Sequence, residues 1–257
     1  MEKGNTALNI AYNPQTASIY QKLGNWQKMG NFFRYMIIFN GRAVANLIKE
    51  GALKTKASSY QLKSKILLAP GMNYKYVKNF NSDFNFFWKT IRQKYRITIE
   101  RTAQYLNWRY ANHPYFKYFI LTAKKDNKLL GYLIYRFEKT PNFKIARIID
   151  FISLESFETD LLKKFVLDVQ RKNADMADFM FSGNYYHKIL KTVGFFEANN
   201  TIFKNFPILF NPISYKKSYI NFMVWSKDKN INQNEFYNPS NWYLTKGDSD
   251  QDRPNPH

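Results

Sequence analysis

Between Tyr115 and Ser153 the chain makes three β-prone apolar runs in quick succession, and at Phe157 its hydrophobic period changes from that of a strand to that of a helix. The runs are Tyr115 to Ala123, Leu129 to Phe137 and Phe143 to Ser153. Asp126-Asn127 supplies turn chemistry between the first two, and Pro141-Asn142 breaks the chain before the third, so the spacing predicts an antiparallel meander. After it Phe157, Leu161, Leu162, Phe165, Val166 and Val169 fall on one stripe. Lys163, Lys164, Arg171 and Lys172 are solvated toward the C-terminal end of that helix, where the dipole favours cations.

Elements of both kinds flank this block. Phe84, Phe87, Trp88, Ile91 and Tyr95 recur at three-and-four spacing and predict an amphipathic helix ahead of the meander. A second helix is expected with Thr98 as its cap, running through Ala103, Leu106 and Tyr110 to a stop at His113-Pro114. Beyond the meander and its helix, Asp178 to Ser182 reads as a short buried strand and Tyr185 to Val193 as a short helix closed by Gly194. Ile202 to Phe210 and Tyr219 to Ser226 are two further strands. The predicted order over residues 82–227 is ααβββαβαββ, a mixed α/β (α+β) domain with a mainly antiparallel sheet flanked by helices. Residues 41–81 read as a partly helical connector broken by Pro70-Gly71, and residues 228–257 as a C-terminal tail or flap.

Composition narrows the function classes. The 257 residues contain no cysteine, which removes disulfides, thiolate metal sites and a cysteine nucleophile together and points to a cytoplasmic protein. No apolar run approaches the ~20 residues a membrane helix needs. His113, His187 and His257 are scattered, with no carboxylate at ligand spacing, so no metal site is expected. The net charge of +20 suits a phosphorylated ligand, nucleic acid or anionic lipid. Its lysines are dispersed, however, and the joint abundance of Lys, Asn, Ile, Phe and Tyr also follows from AT-rich coding. No basic-aromatic motif marks a dedicated nucleic-acid module.

The element order, with Gly194-Phe195-Phe196 closing the last helix, resembles the GNAT (GCN5-related N-acetyltransferase) superfamily, in which a helix ending in a Gly-Phe pair precedes the final hairpin. An internal repeat carries a second likeness. Ile19 to Trp26 matches Ile189 to Phe196, and Arg34 to Asn40 echoes Asn205 to Asn211, at an offset of about 170 residues. Residues 1–40 therefore look like the tail of a first GNAT-like domain, with a last helix over Asn13 to Gly24 and a terminal strand over Tyr35 to Phe39. On this reading the chain resembles the C-terminal half of bacterial tandem-GNAT or Fem-like acyltransferases. The tail from Asn241 to Pro254 is similar to the ending of bacterial GNAT-like proteins associated with surface polysaccharide or peptidoglycan-type modification.

The resemblance implies an acyltransferase that moves an acyl group from acetyl-CoA or another acyl-CoA to an amine or hydroxyl acceptor. Such chemistry needs a cradle for the carrier's pyrophosphate, donors for the carbonyl oxygen and a way to take the acceptor's proton. In the family the cradle is the start of the helix after the fourth strand, here Leu154 to Thr159. This stretch lacks the family's basic, glycine-rich signature and places Glu155 and Glu158 where phosphates would sit. Two explanations stay open. Either this half binds only the acceptor while another half holds the carrier, or the donor is bound differently, as in the Fem-type enzymes that use aminoacyl-tRNA. A noncatalytic GNAT-like interaction module is the third alternative.

Particular residues follow. Phe151, Ile152 and Ser153 would offer backbone N–H groups to the thioester oxygen, with Asn184 beside them. Asp150 is the candidate base; its structural alternative is a strand-end carboxylate paired with Arg147 or a lysine. Tyr185 or Tyr186 would protonate the departing thiolate, or else both are packing residues. Trp108, Arg109 and Tyr110 would line an acceptor pocket, or form a helix end packed on the sheet. In the tail, Trp242 and Thr245 would anchor a flap that presents Asp248 or Asp250 to a small-molecule or glycan acceptor, a solvated acidic turn being the default.

Overall fold

The computed structural model describes residues 6–48, 54, 66–199, 201, 203, 206–210, 213–214, 219–249 and 252. The meander and its crossover form the centre. Strands β6 (Phe119–Lys125), β7 (Lys128–Thr140) and β8 (Phe143–Ser153) pair antiparallel in succession. Asp126 and Asn127 both take positive φ, 49° and 61°, the geometry of a tight hairpin turn whose twist matches its strands. Helix α5 (Glu158–Arg171) follows and returns the chain to β9 (Met176–Phe181), which lies parallel to β8. Leu161, Leu162, Phe165, Val166 and Val169 are all fully buried, so the apolar stripe is the face laid on the sheet. Helix α6 (His187–Val193) then ends on Gly194 at φ 105°, as a left-handed C-cap requires.

Ahead of the meander, α3 (Ser82–Ile91) buries Phe84, Phe87, Trp88 and Ile91. Each such burial contributes about 1.5–3 kcal/mol before the entropy of ordering is subtracted. The second helix starts later than its sequence suggests. Thr98 belongs to a short strand, β5 (Ile97–Thr98), and the cap is Thr102, whose side chain accepts from the Tyr105 N–H. From there α4 (Ala103–Leu106) continues into a π-turn over Asn107–Ala111.

The seven-stranded sheet runs β10 (Phe196–Glu197), β3 (Phe33–Ile38), β9, β8, β7, β6 and β4 (Asn73–Val77). Its far edge, β4 (Asn73–Val77), comes from the stretch expected to be a connector. Its other end holds an exchange. Strand β3 (Phe33–Ile38), from the N-terminal segment, sits antiparallel between β9 and β10 (Phe196–Glu197). Tyr35 and Ile37 enter the main core, Met36 and Ile38 a second core on the opposite face, and all four are fully buried. A strand buried on both faces is apolar at nearly every position, as β3 is.

The expected last strand of the domain goes elsewhere. Strand β13 (Asn221–Ser226) lies between β1 (Thr6–Ile10) and β2 (Gln27–Asn31) in a separate three-stranded antiparallel sheet. Helix α1 (Pro14–Gly24) links β1 to β2, and the short helix α2 (Gly41–Ala45) follows β3. Of the strand expected over 202–210, the described part includes β11 (Leu209–Phe210), which pairs with β12 (Ile213–Ser214) outside the large sheet. The tail packs back on the body through Trp242–Tyr243, the strand β14, which runs parallel to β5. No helix among the described residues is long and apolar enough to cross a membrane.

Candidate functional site

The geometry turns on where β8 and β9 part. Their parallel pairing runs only from Ile145 opposite Met176 to Ile148 opposite Phe179. At that point β8 carries a bulge: Tyr135 faces Ile148, Ile134 faces Asp150, and Ile149 is the extra residue. Beyond it the two strands diverge, with Asp150 to Ser153 on one side and Phe181 to Asn184 on the other.

No comparison by sequence identifies the chain: no protein-family model and no curated protein matches it. Its structure does have counterparts. A GCN5-related N-acetyltransferase from Anabaena variabilis superposes with a TM-score of 0.52 at 13% identity, over 84% of this chain and 45% of that one. A conserved protein of Enterococcus faecalis, described as a probable N-acyltransferase, gives 0.51 at 10% identity over 86% and 44%. The chain has the GNAT fold. It spans a little under half the length of these two structures.

In this GNAT sheet the gap between β8 and β9 is filled by the chain's own tail. Thr245 bridges to Phe181, Ser182 N donates to the Leu244 carbonyl at 2.9 Å, and Ser182 Oγ donates to the Trp242 carbonyl at 2.6 Å. Asn184 N donates to the Ser240 carbonyl at 3.1 Å. From the middle of this segment the Tyr243 hydroxyl reaches across to donate to the Phe151 carbonyl at 2.5 Å. Tyr243, Leu244 and Thr245 have no exposed surface. Gly183 makes the approach possible: at φ 80° it lies so close that a Cβ there would come within 2.4 Å of the Trp242 carbonyl oxygen.

The start of α5 is equally closed to phosphate. Glu158, buried in the first helical turn, is ion-paired to Lys94 at 2.6 Å, and the same ammonium donates to the Ser153 carbonyl at 3.1 Å. A carboxylate already takes the favourable place at the helix dipole. With the gap occupied and Glu158 and Asp160 at the helix start, the residues present do not fit a coenzyme A thioester at this position.

The residues singled out in the sequence divide into sealed and open groups. Phe151, Ile152 and Ser153 are fully buried opposite Leu133, Tyr132 and Gly131. Asp150 is fully buried and pairs with Arg101, not with Arg147 or a lysine, at 3.3 Å from Nε. The same guanidinium makes a shorter contact, 2.7 Å, with Asp248. Burial pushes the Asp150 carboxyl above its ordinary value; Arg101 opposes this and the Asp248 carboxylate reinforces it. Arg147 is engaged by Asp178 at 2.9 Å, which also holds Arg34 at 2.8 Å.

Tyr186 adopts a left-handed conformation at φ 58°, bonded through its hydroxyl to Tyr95 with the Lys94 ammonium 4.8 Å from its ring centre. Burial raises its phenol well above the ordinary value, which makes it a weaker proton donor. Tyr185, half-buried, accepts from Arg96 N at 3.1 Å and donates to the Asn241 carbonyl at 3.3 Å. Burial raises its phenol as well. Asn184 is exposed, and Asp250 lies outside the described residues.

The open group lies around α4 and the tail, at a cavity of about 610 Å³ lined by Ile99, Tyr105, Trp108, Arg109, His113, Pro114, Gly247, Asp248, Ser249 and Asp252. Trp108 is 69% exposed and presents an aromatic face beside it. Arg109 is spent on the tail, donating to the Gly247 and Ser249 carbonyls at 2.8 and 2.9 Å. Tyr110 is buried below, packed on Gly247. Thr245 and Asp248 form a reciprocal capping box at the short turn Lys246–Asp248. Asp248 Oδ1 has no hydrogen-bond partner among the described residues. Trp242 anchors the segment below, its indole N–H donating to the Phe236 carbonyl at 2.6 Å.

Two features of this region escaped the sequence. His113, dismissed as a metal ligand, lines the cavity; its Nδ1 accepts from the N–H groups of Tyr115 and Phe116 at 3.2 and 3.1 Å. That assigns the hydrogen to Nε2 in the neutral ring, and burial together with Arg109 lowers the imidazole pKa. The second is Arg101, which joins a strand carboxylate to a tail carboxylate 98 residues away in sequence (Asp150 and Asp248). No local signal marked it: Arg101 stands between Glu100 and Thr102, ahead of the helix that begins at Ala103.

Proposed function

We propose that this chain is the acceptor-binding unit of an acyltransferase, holding a small amine- or hydroxyl-bearing molecule that receives an acyl group from a thioester bound by another GNAT-type unit. The observation that carries the reading is the disposition of the tail. Its stretch Trp242–Lys246 fills the gap between β8 and β9, while the adjoining Gly247–Ser249 forms one wall of a cavity open to solvent. A unit that itself held the thioester would need that gap.

The cavity's chemistry suits a small polar acceptor. Trp108 offers a face over which an ammonium group or a sugar ring packs, and the walls supply an aromatic floor with few polar groups to set orientation. A neutral His113 with hydrogen on Nε2 donates to an acceptor oxygen and does not serve as the base. An amino sugar combines both features, in keeping with an acceptor drawn from surface-glycan synthesis.

The test is a pair of titrations on the chain as it stands. Acetyl-CoA should give no saturable heat by calorimetry. Glucosamine should quench tryptophan fluorescence saturably, and Trp108→Ala should remove that quenching. Saturable acetyl-CoA binding would overturn the assignment of the thioester to another unit, and glucosamine quenching that survives in Trp108→Ala would move the acceptor elsewhere.

A further inference from the structure

The small sheet repeats the end of the large one. In the large sheet β9, β3 and β10 lie side by side, with β3 antiparallel to both neighbours; in the small sheet β1, β13 and β2 do the same. In each, the first outer strand leads through one helix to the second, α6 in one and α1 in the other. Both helices finish on a left-handed residue, Gly194 at φ 105° and Asn25 at φ 55°. The central strands are exchanged: β3 follows β2 in the chain but sits between β9 and β10, whereas β13 comes after β10 and sits between β1 and β2. The two assemblies share one β–α–β arrangement, and each takes its central strand from the part of the chain that holds the other.

They differ in what covers their outer side. In the large sheet the second edge of β9 is paired in parallel with β8, and α6 packs on α5 and buries Leu190 and Val193. In the small sheet, among the described residues, β1 pairs with β13 alone, and α1 leaves Ile19 53% and Tyr20 39% exposed. Strand β1 reads Thr-Ala-Leu-Asn-Ile, with no charge and no proline, so it lacks the devices that protect a free edge from pairing.

We propose that the free edge of β1 and the Ile19–Tyr20 face of α1 form one docking surface for a strand–helix unit of GNAT type, its strand parallel to β1 and its helix against α1. The occupant has the chemistry of β8 and α5: an apolar strand buried on both faces followed by an amphipathic helix. A second copy of this chain does not qualify, because its own β8 and α5 are already enclosed. The two solved GNAT-fold structures matched above each carry more than as much chain again beyond the matched part, room for such a unit. The surface stands whatever the partner binds, and so does not depend on the acceptor reading.

The test delivers a known unit to the surface. Residues 143–175, which comprise β8, α5 and the connector into β9, replace residues 1–5, so that strand, helix and connector reach β1 in the order in which they reach β9. Because the chain has no cysteine, Ile19→Cys gives one reactive position. Hydrogen exchange over Thr6–Ile10 and maleimide labelling of that cysteine should both slow by about tenfold or more. A scrambled insert should leave both unchanged, and Ile19→Arg should restore fast exchange. Should the extended chain fail to fold, the same segment on a soluble carrier protein is titrated against the unaltered chain with the same readouts. Unchanged exchange and labelling in the folded extended chain, or in the titration that replaces it, would overturn the proposal. So would an unaltered chain that dimerises with protection of this face, which would make a second copy the occupant.

Discussion

The Tyr243 hydroxyl and the Phe151 carbonyl, 2.5 Å apart, tie the tail to β8 across the gap that opens beyond Ile148. Tyr243 also stacks on Tyr95 with ring centres 4.7 Å apart, so the ring is held by packing and the hydroxyl by one bond. Tyr243→Phe keeps the first and removes the second. With the carbonyl left without that donor in a buried setting, the variant should lose about 1–3 kcal/mol in urea denaturation. It should still give no saturable heat with acetyl-CoA, because the ring continues to fill the gap.

Gly183→Ala tests the same segment from the β9 side. The new Cβ would lie 2.4 Å from the Trp242 carbonyl oxygen, at a φ of 80° that alanine disfavours. The conformational part alone costs about 1 kcal/mol, and the contact adds to it. The tail should yield before the sheet does. Hydrogen exchange over residues 240–245 should accelerate more than exchange in β7 and β8; uniform acceleration would show that the tail is not a separable layer.

Asp178 lies between Arg34 and Arg147, buried with both. Burial alone would raise its carboxyl, yet the two guanidinium groups hold it well below its ordinary value of 3.8. In acid the unfolded chain therefore binds the proton first. The contribution of this group is complete above about pH 4 and is lost as the pH falls below it. Asp178→Asn leaves two buried cations without their shared carboxylate and should cost about 3–5 kcal/mol at pH 7. It should also flatten the acid limb of the stability profile, as followed by thermal melts between pH 3 and pH 7.

Elements dictated by local pattern were legible in the sequence, and those dictated by distant partners were not. Strand β8 spans Phe143–Ser153, the limits its apolar run and the Pro141 break indicate, and α5 follows its stripe of Leu161, Leu162, Phe165, Val166 and Val169. Strand β3 was legible as a strand, but its place beside Phe181 and Met180 depends on pairings across some 140 residues that no window contains. Strands β1 and β2 are short and carry little alternation; β2 is exposed except at Met29. At the site, Trp108, Arg109 and Asp248 were chosen separately and the fold brings them to one cavity, whereas Asp150, Tyr186 and Phe151 are enclosed. The enclosure comes from the tail, whose aromatic anchor was visible but whose destination was not.

Lys246 is the least expected residue of that tail. It is buried, and its ammonium has no hydrogen-bond partner among the described residues. Burial and the neighbouring Arg147 push its pKa down from 10.5 to about 8, against the pull of Asp252 and Glu138. Between those two values the unfolded chain holds a proton that the folded chain has released, so stability rises with pH across the window. Below pH 8 the burial penalty is present in full, at about 3 kcal/mol for a shift of this size. Lys246→Met keeps the length of the side chain and removes the charge. The variant should be more stable than the parent at pH 7, and the difference should shrink toward zero as the pH approaches 10.5. A Lys246→Met protein less stable at pH 7 would mean that Asp252 and Glu138 outweigh burial, and that the lysine is one of the fastenings of the tail.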